Sequence, residues 1–173
     1  MIESMTHAGA RPMQILAAIQ REDQSTVVSA TDVRSERKAI REKHLNGRSP
    51  IETLLDDLYT ADWVFAVKKD AEDHVQSLFY AHQKQIELLL ANPDVLLMDC
   101  TYRTNKKRLP LLHTLGCTNL QTFFSAGFCF LSNEIQAGYH WAIANFLLKT
   151  GTSRPRVFIS DQEDALKQVK GID

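Results

Sequence analysis

Two aspartates each follow a short apolar run: Asp99 after Val95-Leu96-Leu97-Met98, and Asp161 after the segment Arg156 to Ser160. A continuous apolar run of this length reads as a strand buried on both faces. Both carboxylates are therefore expected at strand ends. If the two strands lie side by side and parallel, both carboxylates emerge at one edge of the sheet, where open α/β sheets bind their ligands. Two carboxylates there can bridge a pair of Mg²⁺ ions about 3.5–4 Å apart, an arrangement that serves in-line attack on a phosphodiester. Mg²⁺ suits such work because it prefers hard oxygen ligands and keeps exchangeable waters. The same residues also read as caps, since aspartate is common where a turn or helix begins. Asp161 directly precedes a helical pattern from Gln162 to Val169. From spacing alone capping is the commoner role, and both readings stay open.

Further groups cluster around these two. Arg103, Lys106, Lys107 and Arg108 follow Asp99 closely. They suit phosphate-backbone contacts beside the site, or equally a solvated hairpin rim. Tyr102 suits stacking on a base or packing at the sheet edge. Cys100 alternates away from Asp99 and is expected in the core. His113 and Cys117 lack the further ligands of a metal site, so core packing is the favoured reading. Trp63 and Trp141 are expected to be core anchors.

The elements that must position these groups fall into two stretches. The first reads as short helices: one starting at Pro12 with Ile15, Leu16 and Ile19 on one face, and a polar one from about Asp32 to His44 closing at Asn46-Gly47. Arg34, Arg37, Lys38, Arg41 and Lys43 interleave there with Glu36 and Glu42, which favours a solvated face over a DNA contact. Ser49-Pro50-Ile51-Glu52 is a capping box with proline at the first helical position, followed by a stripe of Ile51, Leu54, Leu55 and Leu58. Alternation at Trp63, Phe65 and Val67, a polar turn, and Val75 to Tyr80 predict a hairpin. A helix from His82 to Ala91 stops at Asn92-Pro93. The second stretch is mixed: strands at Val95, Leu109 to Cys117 and Thr122 to Leu131, a helix from Glu134 to Lys149 closed by Gly151, then the strand ending at Asp161.

Composition narrows the classes. A formal net charge of −1 supplies no global positive field, so any DNA binding must rest on local basic patches. No apolar run approaches the roughly 18 residues of a membrane span. The N-terminus, MIESMTHAGARP, has no apolar signal core, and three cysteines without metal-type spacing read as reduced thiols of an intracellular protein.

From Asp94 to Leu166 the chain resembles the catalytic domain of Mutator-like (MULE) transposases. The residues that carry the resemblance are Asp99-Cys100-Thr101-Tyr102-Arg103-Thr104-Asn105, Leu109-Pro110-Leu111-Leu112, Gly116, the aromatic strand Phe123 to Leu131, then Glu134, Tyr139, Trp141, Ser160-Asp161 and Ala165-Leu166. Gly9 to Ala91 is similar, less specifically, to the helical segment that precedes that domain. The resemblance implies an α/β (α+β) fold: a partial ribonuclease H-like mixed sheet with flanking helices over 93–173, preceded by a mainly helical segment over 1–92 with a hairpin near 63–80. It implies a DDE site with Asp99 and Asp161 as catalytic metal ligands, Mg²⁺ or Mn²⁺ as cofactor, and DNA at Arg103, Lys106, Lys107 and Arg108. Water would nick the element end, and the freed 3′ hydroxyl would attack target DNA, in the nucleus, with a homo-oligomer as the working form. The family's third acid, a glutamate on a later helix, has no counterpart here, and Glu163 stands too near Asp161 to serve. The expectation is a fragment ending after the second Asp and inactive by itself. The alternatives are a non-catalytic transposon-derived DNA-binding or regulatory protein, of the far-red-impaired type, or a pseudogene product; a stand-alone nuclease of the same fold would need the same third acid.

Overall fold

The computed structural model describes residues 1–101, 109–133, 135–152 and 155–160. The chain forms two compact units, Met1–Asp57 and Leu58–Asp173.

In the first unit, α1 (Ile2–His7), α2 (Pro12–Glu22) and α3 (Ala30–Leu45) surround a small core of Ile15, Leu16 and Val33. Pro12 opens α2, where its missing N–H costs nothing. Ser29 caps α3 reciprocally with Asp32, which starts that helix two residues before the expected Asp32, and Asn46 closes it in the left-handed region at φ 47°. Helix α4 (Pro50–Thr60) begins at the expected capping box: Glu52 N–H donates to Ser49 Oγ at 3.3 Å, and Ser49 N–H donates to Glu52 Oε2 at 2.7 Å. His44 meets Asp57 at 3.1 Å, which ties α3 to α4, and Arg48 in the link between them pairs with Asp56. Of the apolar stripe predicted on α4, Leu58 is buried, Leu54 and Leu55 are half-buried, and Ile51 is exposed.

The second unit is a six-stranded mixed sheet with helices on one face. Its elements are β1 (Trp63–Lys69), β2 (Val75–His82), α5 (Gln83–Ala91), β3 (Val95–Thr101), β4 (Leu111–Cys117), β5 (Phe123–Phe130), α6 (Gln136–Thr150) and β6 (Val157–Ser160). The order is β1-β2-β5-β4-β3-β6. All pairs are antiparallel except β3 with β6. Three antiparallel strands, a helix, and a strand returning parallel beside the first is the order the ribonuclease H-like expectation requires. The hairpin β1-β2 extends this sheet: Leu78, Phe79 and Tyr80 pair with Phe130, Cys129 and Phe128.

The inner face carries the core. Phe79, Ala81, Leu96, Met98, Cys100, Leu112, Ala126 and Cys129 point from the strands toward Ile86 and Leu89 of α5 and Tyr139, Ala142 and Phe146 of α6. Tyr139, Ala142 and Phe146 recur at helical spacing, so one stripe of α6 enters the core. Gly151 closes α6 at φ 65°, a conformation that glycine adopts without strain.

Two sequence expectations are corrected by this packing. The run at Val95 is not buried on both faces; burial alternates along β3, with Leu96, Met98 and Cys100 inside and Asp99 and Thr101 exposed. The reason is that the described helices cover one face only. Nor does the strand end at Asp99, because pairing with β4 continues through Cys100↔Leu112 and Thr101↔Leu111. Trp63 is only half-buried, edge-on to Tyr80 and His82, whereas Trp141 packs against the core. Among the described residues no helix is long and apolar enough to cross a membrane.

Candidate functional site

Asp99 lies on the sheet face opposite the core. Its carboxylate is exposed, and Thr101, two residues on and therefore on the same face, donates its hydroxyl to Asp99 Oδ2 at 3.0 Å. Among the described residues no cation pairs with it.

The antiparallel register sets His113 directly across from Asp99. His113 Nε2 and Ser125 Oγ share a hydrogen bond of 2.9 Å, and the imidazole stacks on Phe128 with centroids 4.6 Å apart and planes 13° apart. The row continues, since Phe128 stands opposite Tyr80, with rings stacked at 5.4 Å, and Tyr80 stands opposite Phe65. One line of cross-strand partners thus runs over five strands from Phe65 to Asp99, aromatic throughout until it meets the imidazole and then the carboxylate. Cross-strand neighbours of this kind stabilise a sheet by about 0.2–1 kcal/mol each.

Electrostatics follow from that placement. Burial against Phe128 favours the neutral imidazole and lowers the His113 pKa, while the charge of Asp99 pulls it the other way. Burial likewise pushes the Tyr80 hydroxyl up, with Cys129 adding to the effect.

At the far end of the sheet, β6 lies against β3 in parallel register, with Leu96, Leu97 and Met98 opposite Phe158, Ile159 and Ser160. Val157 N–H donates to Asp94 O at 2.9 Å, and Arg156 Nε sits 3.2 Å from Asp94 Oδ1. These contacts fix where β6 begins beside β3. Ser160 Oγ is buried and has no hydrogen-bond partner among the described residues.

Of the site residues expected from sequence, Asp99 is the one described. Asp161, Arg103, Lys106, Lys107 and Arg108 lie outside the described residues, as do Tyr102, Glu134 and the segment Gln162 to Val169. Cys100 is buried, as expected. His113 and Cys117 are four residues apart on one strand, roughly 13 Å by strand rise, so they do not meet. Sequence spacing suggests Cys117 alone as a partner for His113 and misses its neighbours Asp99 and Ser125. Alternation puts every second residue of a strand on one face, but which positions of two strands share a face is set by the register.

A second chelating group among the described residues, Asp70, Glu72 and His74, belongs to the hairpin turn. Asp70 Oδ1 accepts from the backbone N–H of His74 at 2.8 Å and of Glu72 at 3.1 Å, and these bonds to the charged form, the His74 one foremost, lower its pKa. That wiring accounts for the cluster as turn chemistry.

Comparison with known proteins agrees with the arrangement of the second unit. The MULE transposase domain model matches residues 95–170. FAR1-RELATED SEQUENCE 5 of Arabidopsis thaliana is 28% identical over 96% of this chain and 22% of its own length. FAR1-RELATED SEQUENCE 2 of the same plant is 25% identical over 61% of the chain and 13% of its own length. PKS-NRPS hybrid synthetase cheA of Chaetomium globosum is 25% identical over 96% of the chain but only 4% of its own length. The chain thus spans about a fifth or less of these relatives. No solved structure matches it. Residues 95–170 thus match a MULE transposase domain, and together with the FAR1-related relatives this supports a transposase-derived origin for the chain.

Proposed function

We propose that this chain supplies Asp99 and Asp161, two metal-ligating carboxylates of a DDE-class DNA transposase, to a full-length protein that cuts and joins DNA. The observation that carries the reading is the parallel pair β3–β6: Met98 stands opposite Ser160, and each immediately precedes one of the two aspartates in sequence. The donor chemistry fits a hard divalent ion, because Asp99 offers an exposed carboxylate without a competing cation among the described residues. When bound, a pair of Mg²⁺ or Mn²⁺ ions supplies Lewis acidity at the attacking and leaving oxygens. Asp99 and Asp161 hold that pair; Thr101 orients Asp99 through its hydroxyl; Arg103, Lys106, Lys107 and Arg108 hold the DNA backbone by its phosphates. Much of the catalysis in phosphoryl transfer is positioning, which a carboxylate on a paired strand serves well. Such a protein acts on chromosomal DNA in the nucleus, and joining two element ends suits a homo-oligomer.

The test is strand cleavage of supercoiled plasmid by the full-length protein with Mg²⁺ or Mn²⁺, alongside calorimetric Mn²⁺ binding by the chain. Asp99→Asn and Asp161→Asn are each expected to reduce nicking to background and to weaken Mn²⁺ binding. Nicking that survives Asp99→Asn overturns the assignment.

A second reading is a transposase-derived regulator that binds DNA without cutting it. The similar plant proteins carry FAR1-related names, and that favours it. Duplex binding by the wild-type protein with no nicking in either metal would select this reading.

A further inference from the structure

Four of the basic residues on α3 are gathered on one face, although its sequence mixes the signs and Lys43 lies on another. Arg34, Arg37, Lys38 and Arg41 stand at i, i+3, i+4 and i+7, which places all four on one side of the helix. They line a groove of about 430 Å³ in the first unit, together with Thr6, His7, Pro12 and His44. Among the described residues no carboxylate lines that groove. Glu36 and Asp32 lie round the helix and border a different depression, with Met1 and Glu3. Glu42 flanks the groove and meets Lys38 at 3.6 Å. Among the described residues no carboxylate lies within ion-pair distance of Arg34, Arg37 or Arg41. Of the interleaved acids, Glu42 bears on this face through Lys38, and the three arginines keep their charge without an ion-pair partner among the described residues.

We propose that this groove binds the phosphate backbone of duplex DNA, as a site separate from Asp99. Guanidinium groups present forked donors that match phosphate oxygens, and three of them stand together here without ion-pair partners among the described residues. Arg34 and Arg41 are about 10 Å apart along the helix axis at 1.5 Å per residue. Phosphates advance by about 3.4 Å per step along each DNA strand, so the row spans about three of them. The phosphate chemistry comes from the groove; the choice of DNA as the polymer rests on the transposase reading above. Backbone contacts of this kind position a protein on DNA and carry no sequence preference.

The experiment is fluorescence anisotropy of a 20-bp duplex with the whole chain, over a salt series, for wild type and the triple variant Arg34→Gln, Arg37→Gln, Arg41→Gln. Glutamine keeps helix propensity, and circular dichroism checks that α3 persists. The triple variant is expected to bind at least about tenfold more weakly, and its log–log salt slope to fall by about two to three. Glu36→Gln, on the other face, is the control and should bind as wild type or slightly tighter. Unchanged affinity and slope in the folded triple variant overturn the proposal. Tighter, arginine-dependent binding of an RNA duplex of equal length overturns the choice of DNA. Asp99→Asn separates the two ideas. If it leaves cleavage intact while the arginine variant loses DNA, the catalytic reading fails and the groove stands. If it abolishes cleavage while the arginine variant binds normally, the groove fails alone.

Discussion

Asp99 on β3 and His113 on β4 face each other across the antiparallel ladder, so the exposed carboxylate and a half-buried imidazole share one sheet face. The pair has a titration signature. Burial holds the His113 pKa below its ordinary value of 6.5, and Asp99 opposes that shift. In Asp99→Asn the opposing charge is gone, and the His113 pKa should drop further. An NMR titration of the imidazole carbon-bound protons reads both values; a rise in Asp99→Asn would contradict the arrangement.

The same shift sets a pH dependence of stability. The folded pKa lies below the unfolded one, so between them the unfolded chain binds more protons and stability rises with pH. The His113 contribution is complete above about pH 6.5 and is lost progressively as pH falls toward the folded value. Thermal melts of wild type and His113→Phe between pH 5 and 8 should diverge on the acidic side. Parallel curves would show that His113 does not contribute.

Gly116 and Phe124 make a second test. They are paired in register, and a Cβ added to Gly116 would overlap Phe124 Cζ. The ring closes over the glycine, so Gly116→Ala should destabilise the second unit by about 1–3 kcal/mol through overpacking. In Phe124→Leu the obstruction shrinks, and adding Gly116→Ala should then cost much less. A double-mutant cycle measured by denaturant unfolding gives the coupling directly; strict additivity would show that the ring does not hold this place.

Thiol reactivity should sort the cysteines. Cys100 and Cys129 are buried, and burial, with a smaller contribution from Cys100, pushes the Cys129 thiol up. Cys117 is half-buried at the end of β4, its Sγ 3.5 Å from Thr118 O. Thiolate is the reactive form. Iodoacetamide is expected to label Cys117 first under native conditions and the other two only on unfolding, as read by peptide mass spectrometry. Early labelling of Cys129 would contradict the packing of α5 and α6 over the inner face of the sheet.

Hydrogen exchange should rank the strands. β4 is paired on both sides, while β6 pairs with β3 alone among the described residues and leaves Val157 and Ile159 nearly half exposed. Amides of Leu112 to Gly116 are expected to exchange slowest and those of Val157 to Ser160 markedly faster. Equal protection would show β6 covered on its other edge.

Local chemistry makes many elements legible in the sequence alone. Pro12, the Ser49–Glu52 box, Asn46-Gly47 and Gly151 mark helix ends, because each satisfies or terminates backbone groups within a few residues of itself. The Tyr139-Ala142-Phe146 stripe identifies the buried face of α6 by its period alone. The mixed sheet over the second stretch also follows from the family resemblance. The pairing of Phe65, Tyr80, Phe128, His113 and Asp99 does not, because register joins residues far apart in the chain and the shift between Thr114 and Leu115 resets it midway. Nor does the joining of the hairpin to β5, or the gathering of Arg34, Arg37, Lys38 and Arg41 of α3 along one groove. Composition sums charges along a chain, whereas a field depends on which groups the surrounding helices leave side by side. Sequence determined which residues could bear the chemistry; tertiary structure decided which of them became neighbours, since that choice is made by long-range packing.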